Sequence, residues 1–212
     1  MRLLAFIAAI GFSWPAAVLA QSDAPVTKPE VKPGDRWTYR RVDLWNNAET
    51  TRYEMEVTFV GKDVIQAVNR RGSQEIDVSY TSEWNVVNDL DGGVWNPHSG
   101  MLKFPLQPGA SYAAEAEITR PRQGAFRSKM EIPLKVVGWE EIVVPAGKFR
   151  ALKIDGPGSY QRQDVSGAGQ IHFVFWYVPE VKRWAKVTIE STDFRGQPFN
   201  RTAEELVEFK VQ

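Results

Sequence analysis

The sequence predicts a mainly β protein, built as a curved antiparallel sheet of half-barrel or clam-like shape. Three observations predict it. Apolar and polar residues alternate with period two along several stretches. No stretch of useful length carries helical periodicity, and Pro-Gly corners separate the alternating runs. The same pattern admits two duplicated β units sharing one core.

In chain order, the first element is MRLLAFIAAIGFSWPAAVLA, which combines Arg2, an apolar run and small residues. Val18 and Ala20 occupy the −3 and −1 positions before Gln21, the pattern of a signal peptide cut after Ala20. Pro15 breaks the run, and no later segment approaches roughly 18 uncharged apolar residues, so the mature chain is expected to lack a transmembrane segment. Residues 21–33, QSDAPVTKPEVKP, hold three prolines and four charges but no aromatic side chain, and read as a flexible leader. Residues 34–212 then form one β-rich domain, with candidate repeats over 34–106 and 107–212.

Alternation begins with Tyr53, Met55, Val57 and Phe59, set against Arg52, Glu54, Glu56 and Thr58. It returns in Phe126, Ser128, Met130, Ile132, Leu134 and Val136, and again in Ala203, Glu205, Val207, Phe209 and Val211. Pro133 cannot donate to a ladder and predicts an edge or a bulge. Pro33-Gly34 and Pro108-Gly109 predict type II turns, Pro fixing φ at the second position and Gly supplying positive φ at the third. Around Pro145-Ala146-Gly147 the chain predicts a type I turn, with Gly147 left-handed and closing a three-residue hairpin with a bulge. The repeat rests on two echoes: KPGDRW (32–37) with QPGASY (107–112), and MEVTFVGKDVI (55–65) with MEIPLKVVGWEEI (130–142).

Composition narrows function. Lys and Arg balance Asp and Glu at 26 each, leaving no electrostatic footprint for nucleic acid or an anionic lipid surface. The sequence contains no cysteine, hence neither disulfides nor a lipidated cysteine. The expected state is a free periplasmic protein, not a lipoprotein.

Catalytic patterns are sparse. His98 and His172 are the only histidines. Gly158-Ser159-Tyr160 lacks the trailing glycine of a nucleophile elbow. Asn88-Asp89-Leu90-Asp91-Gly92-Gly93 lacks the closing glutamate of a calcium loop and reads as a hairpin turn. Glu140-Glu141 and Glu204-Glu205 are strand neighbours whose side chains face opposite ways, as solvated groups facing Lys and Arg. The expectation is a protein without catalytic residues, metal or cofactor.

Aromatic residues carry the remaining signal. The run IHFVFWYV (171–178) is apolar on both faces, so both faces need cover. It is either a central strand between two packed layers or the wall of a concave sheet holding an apolar ligand. The second reading selects Trp37, Trp84, Phe173, Phe175, Trp176 and Tyr177 as candidate ligand-binding residues. The turns at Pro33, Gly34, Pro108, Gly109, Pro145 and Gly147 are assigned structural roles.

The order Phe104-Pro105-Leu106, Val144-Pro145-Ala146-Gly147-x-Phe149 and Trp176-Tyr177-x-Pro179 resembles a broad set of uncharacterised exported bacterial proteins, over most of residues 32–210. More remotely, these are similar to the clam-shaped sheets of periplasmic lipoprotein carriers, which hold acyl chains on a concave face. The resemblance implies architecture and no catalytic residues. The functional expectation is a periplasmic protein that binds or carries a lipid or other apolar molecule. The alternatives are an envelope protein-interaction module without a small ligand and, third, carbohydrate binding through exposed tryptophans.

Overall fold

The computed structural model describes residues 24–124 and 126–212; the signal peptide expected over 1–20 lies outside them. Twelve strands follow one another with almost no helix. They are β1 (Arg36–Asp43), β2 (Ala48–Val60), β3 (Val64–Arg71), β4 (Gln74–Thr81), β5 (Val86–Asn88) and β6 (Val94–Asn96). Then come β7 (Ser111–Arg120), β8 (Phe126–Val144), β9 (Gly147–Arg162), β10 (Ala168–Val178), β11 (Arg183–Asp193) and β12 (Pro198–Lys210). Each pairs antiparallel with its sequence neighbours, and β12 returns to β1, giving a closed up-and-down barrel.

This corrects the half-barrel or clam expectation. β1 pairs with β12 from Arg36↔Lys210 to Asp43↔Thr202, along the full length of β1, so the long sheet has no open seam there. On the outside, the Arg40 guanidinium meets Glu205 at 2.8 Å and Lys186 meets the same carboxylate at 3.1 Å, tying β1, β12 and β11 together.

Alternation sorts the strand faces. On β8, Ser128, Met130, Ile132, Leu134 and Val136 are buried, whereas Arg127, Lys129, Glu131 and Lys135 are exposed. On β2, Arg52, Glu54 and Glu56 face out, opposite buried Tyr53, Met55 and Val57. A barrel that met lipid would show an apolar outer band; these strands show charge. Among the described residues, no helix is long and apolar enough to cross a membrane.

β-Bulges then shift the phase. The register slips between Val57 and Phe59, which turns Phe59 out to solvent at 50% exposure, against its expected place on the buried face. In β12 the slip lies between the partners of Thr38 and Tyr39, at Glu208 and Leu206. Asn200, Thr202, Ala203 and Glu204 line the cavity there; Ala203 is buried as expected, but the next buried residue is Leu206, and the expected Glu205 and Val207 are only half-buried. A one-residue slip moves every later side chain to the other face.

The Pro-Gly turns form as expected. Asp35 N donates to Lys32 O at 3.0 Å with Gly34 at φ +90°, and Ala110 N donates to Gln107 O at 3.0 Å with Gly109 at φ +86°. Each turn is clamped alike: Gly34 N and Asp35 O bond Val57, as Gly109 N and Ala110 O bond Val136. Both valines precede a bulge in the second strand of their hairpin. These contacts match Val57 with Val136, whereas the sequence echo aligns Met55 with Met130.

Two further expectations change. Val144 pairs directly with Gly147, so Pro145-Ala146 is a two-residue loop and Gly147 opens β9 at φ +138° instead of closing a three-residue hairpin. The described part of the 21–33 leader is packed: Val26 exchanges backbone hydrogen bonds with Leu106 at 2.8 Å, and Val31 is buried in the core. Apolar contact along 26–31 offsets the ordering entropy that its polar and proline-rich composition suggested would win.

Candidate functional site

The barrel is solid at one end and hollow at the other. Its interior holds a cavity of about 820 Å³. The turns β5–β6, β9–β10 and β11–β12 contribute Asp89, Val165 and Phe194 to its lining, the start of β8 contributes Phe126, and together they surround the mouth. At the opposite end, buried Trp37, Leu106 and Val181 fill the barrel.

The floor is built by a cross-barrel clamp on the β10–β11 turn. Trp37 Nε1 donates to Val181 O at 2.8 Å, Trp84 Nε1 to Lys182 O at 2.9 Å, and the Tyr39 hydroxyl to Trp184 O at 2.7 Å. Buried indoles and phenols need such acceptors, and here three of them fasten one short segment. Trp84 and Lys182 adopt positive φ, +65° and +62°, the conformation that brings this indole and this carbonyl together. Outside the clamp, fully buried Asp35 accepts from Lys182 Nζ at 3.1 Å, Lys32 N at 3.0 Å and Gln212 N at 2.8 Å.

Arg183, the centre of the clamped segment, is 2% exposed and stands in the cavity lining. Its guanidinium carbon lies 4.0 Å from the Trp184 ring centre, 4.6 Å from Trp84 and 4.8 Å from Tyr80. Nη2 donates to the Tyr80 hydroxyl at 3.2 Å and Nη1 to Met55 Sδ at 2.8 Å, while Nε has no partner. Burial disfavours its charge, while the oxygens of the Tyr80, Tyr39 and Tyr53 phenols around it favour it, and the guanidinium stays protonated. Burial also pushes the Tyr39 and Tyr53 hydroxyls well above the ordinary phenol range, so neither supplies a counter-charge.

Above the floor the wall is apolar, with Ile118, Met130, Ile171, Phe173, Phe175 and Val187 among its residues. Phe173 and Phe175 stack with ring centres 6.0 Å apart, and Phe175 meets Trp184 edge-on at 5.9 Å. Met101 and Leu102 enter from the 97–110 connection, held by paired hydrogen bonds between Asn85 and the Leu102 backbone, both 2.8 Å. Glu204 is an acidic member of the wall; it accepts from Trp184 Nε1 at 3.2 Å and from the Tyr53 hydroxyl.

Charged pairs ring the mouth: Arg41 with Asp91 at 3.3 Å, Arg120 with Asp89 at 3.7 Å, and Arg162 with Asp164. Exposed Val165, Phe194 and Phe199 form an apolar lip among them. The Asp89 carboxylate also accepts from Gly93 N at 2.7 Å and Trp95 Nε1 at 3.0 Å, so it holds the β5–β6 hairpin turn together.

Of the candidate ligand-binding residues, the structure brings Trp84, Phe173 and Phe175 to the cavity. Trp37 lies beneath the floor, edge-on to Trp84 at 5.4 Å. Tyr177 is buried against Phe104, ring centres 5.4 Å apart. Trp176 points outward, where its indole N–H bonds the Glu140 carboxylate and Lys153 and Lys186 flank its ring. The 171–178 strand is thus a single wall, with His172 on its outer face bonded to Asp155 at 2.7 Å, and not a strand sandwiched between layers.

The sequence reading missed Arg183 and Glu204. Odd-even counting sets Arg183 with Val187 and Ile189, but the register slips between Trp184 and Lys186, so alternation along β11 does not reach Arg183. Glu204 had no signal either, because the bulge in β12 sets its phase.

No protein-family model matches the chain, and no curated protein matches its sequence. Among solved structures it is similar to a protein provisionally named as a lipoprotein from Parabacteroides distasonis, at 14% identity and a TM-score of 0.57, over 88% of this chain and 100% of that one. A protein from Bacteroides fragilis, provisionally named as exported and described as having a YmcC-like fold, matches at 12% identity with the same TM-score and coverage. The hypothetical lipoprotein YmcC of Escherichia coli follows at 7% identity and a TM-score of 0.47, over 84% and 85% of the two chains. What the chain shares with the first two is a fold, found in proteins whose names assign them to export or to lipid anchoring.

Proposed function

We propose that this is a non-catalytic, exported binding protein of the bacterial envelope that holds an apolar molecule, such as a lipid, inside the barrel. One observation carries the reading: a cavity of about 820 Å³, walled by Phe173, Phe175, Ile118 and Met130, in a barrel whose opposite end is filled. A packed β-barrel of structural purpose would fill its interior with side chains; a ligand-binding one leaves room.

The test uses protein purified from periplasmic extract. Native mass spectrometry is expected to show adducts that solvent extraction removes. The stripped protein is expected to enhance the fluorescence of the neutral dye N-phenyl-1-naphthylamine. No adduct together with no dye binding would sink the proposal.

The apolar lip of Val165, Phe194 and Phe199 favours a second reading, docking on an envelope protein, since clustered exposed apolar side chains mark contact surfaces. A stoichiometric partner in an envelope pull-down that survives loss of dye binding would support it. Carbohydrate stacking asks for a row of exposed indoles, whereas among the described residues Trp45 alone is exposed to that degree.

A further inference from the structure

We infer that the occupant of the cavity is a single-chain amphiphile with a carboxylate head, a fatty acid in chemical class, seated head-down on Arg183 with its chain running up the wall toward the mouth. The inference rests on the binding reading above and adds the polarity and orientation of the ligand.

The first argument is an unbalanced charge. A buried cation is ordinarily paired with an anion or fully hydrogen-bonded, because desolvation costs several kcal/mol. Arg183 is the cation at the cavity floor, and among the described residues it forms no ion pair. One of its acceptors is the Met55 thioether, a weak one, and Nε donates to nothing. A carboxylate oxygen arriving from the cavity replaces the thioether with a strong acceptor and neutralises the charge.

The neighbouring carboxylate does not do this work. Glu204 is held by Trp184 Nε1 and the Tyr53 hydroxyl, with Arg41 as its nearby cation. The aromatic rings around Arg183 stabilise a cation but carry no net charge.

The second argument is fixity. The clamp from Trp37, Trp84 and Tyr39 holds the backbone on either side of Arg183, so the guanidinium is presented at the floor without an ordering cost on binding.

The third is shape. Cavity-lining residues of β11 run from Arg183 through Val187, Ile189 and Ser191 to Asp193. Ten residues of strand span roughly 33 Å, and a barrel tilt near 40° leaves a column about 25 Å deep. A cation at the base of a deep, largely apolar column fits an extended chain with one acidic end.

The experiment compares hexadecanoate with hexadecan-1-ol on the solvent-stripped chain, by displacement of N-phenyl-1-naphthylamine. Hexadecanoate is expected to bind tenfold or more tightly, the usual worth of a charge-assisted hydrogen bond. Arg183→Met should abolish that preference while still binding the alcohol, and Arg183→Lys should keep part of it. Equal affinity of the unaltered protein for acid and alcohol, with both displacing the dye, overturns the inference and leaves the binding reading intact. Failure of dye, acid and alcohol alike overturns the binding reading itself. Hexadecyl phosphate binding as tightly as hexadecanoate would overturn the carboxylate assignment.

Discussion

Arg183 and Ile189 both line the cavity from β11 and divide its labour, the one supplying charge at the floor and the other apolar surface along the wall. Ile189 is half-buried, next to a mouth already rich in charge, so a cation placed there can reach water and leave the fold intact. Ile189→Arg is therefore expected to weaken N-phenyl-1-naphthylamine binding about tenfold while shifting the melting temperature by only a few degrees. Titration of the dye into variant and parent checks this; unchanged affinity would place the dye outside the column. Glycine matters at this scale too. A Cβ on Gly169 would lie 1.9 Å from Thr192 O and 2.7 Å from the Tyr160 hydroxyl, both on neighbouring strands. Gly169→Ala should cost about 1–3 kcal/mol by forcing the backbone aside, read as a lower urea midpoint with unchanged slope.

At the scale of elements, the β8–β9 hairpin shows how turn chemistry and site are separated. Its Pro145-Ala146 loop lies at the filled end, where Ala146 N donates to Leu206 O at 3.0 Å. Gly147 sits at φ +138°, and a Cβ added to it would lie 3.9 Å from the Phe149 ring, an ordinary contact, so a side chain there meets backbone strain and no crowding. Gly147→Val is expected to cost roughly 1–2 kcal/mol in denaturant unfolding, with dye binding unchanged. Loss of dye binding at full stability would show that this corner communicates with the cavity. Bulges act at the same scale: those after Val57 and Val136 follow equivalent clamps by the two Pro-Gly turns, which is how two hairpins of different length come to share one geometry.

At the scale of the whole molecule, the barrel is held shut at one end and left open at the other. The lock is Asp35, which joins the segment before β1, the end of the chain after β12 and the β10–β11 turn through Lys32, Gln212 and Lys182. Asp35→Ala leaves two backbone donors without their acceptor and removes the partner of the half-buried Lys182 ammonium, which keeps only Gln212 O, at a cost of about 3 kcal/mol. For a chain of this length that corresponds to a fall of about 6–12 °C in melting temperature, measurable by circular dichroism. A smaller effect would mean that the aromatic clamp alone closes the floor.

Much of the framework was legible in residues close in sequence. Period-two alternation assigned β2 and β8, Pro33-Gly34 and Pro108-Gly109 announced their turns, and Phe173 and Phe175 stood out as wall residues, because backbone φ limits and side-chain period are local properties. Only the tertiary structure decided that the sheet closes, since β1 and β12 meet across most of the chain. It also decided that Phe59 faces solvent, that Trp176 points outward, and that Arg183 and Glu204 face the interior. The reason is common to all of them: each depends on where a strand's register slips or on which distant strand it pairs with, and no short stretch of sequence carries that information.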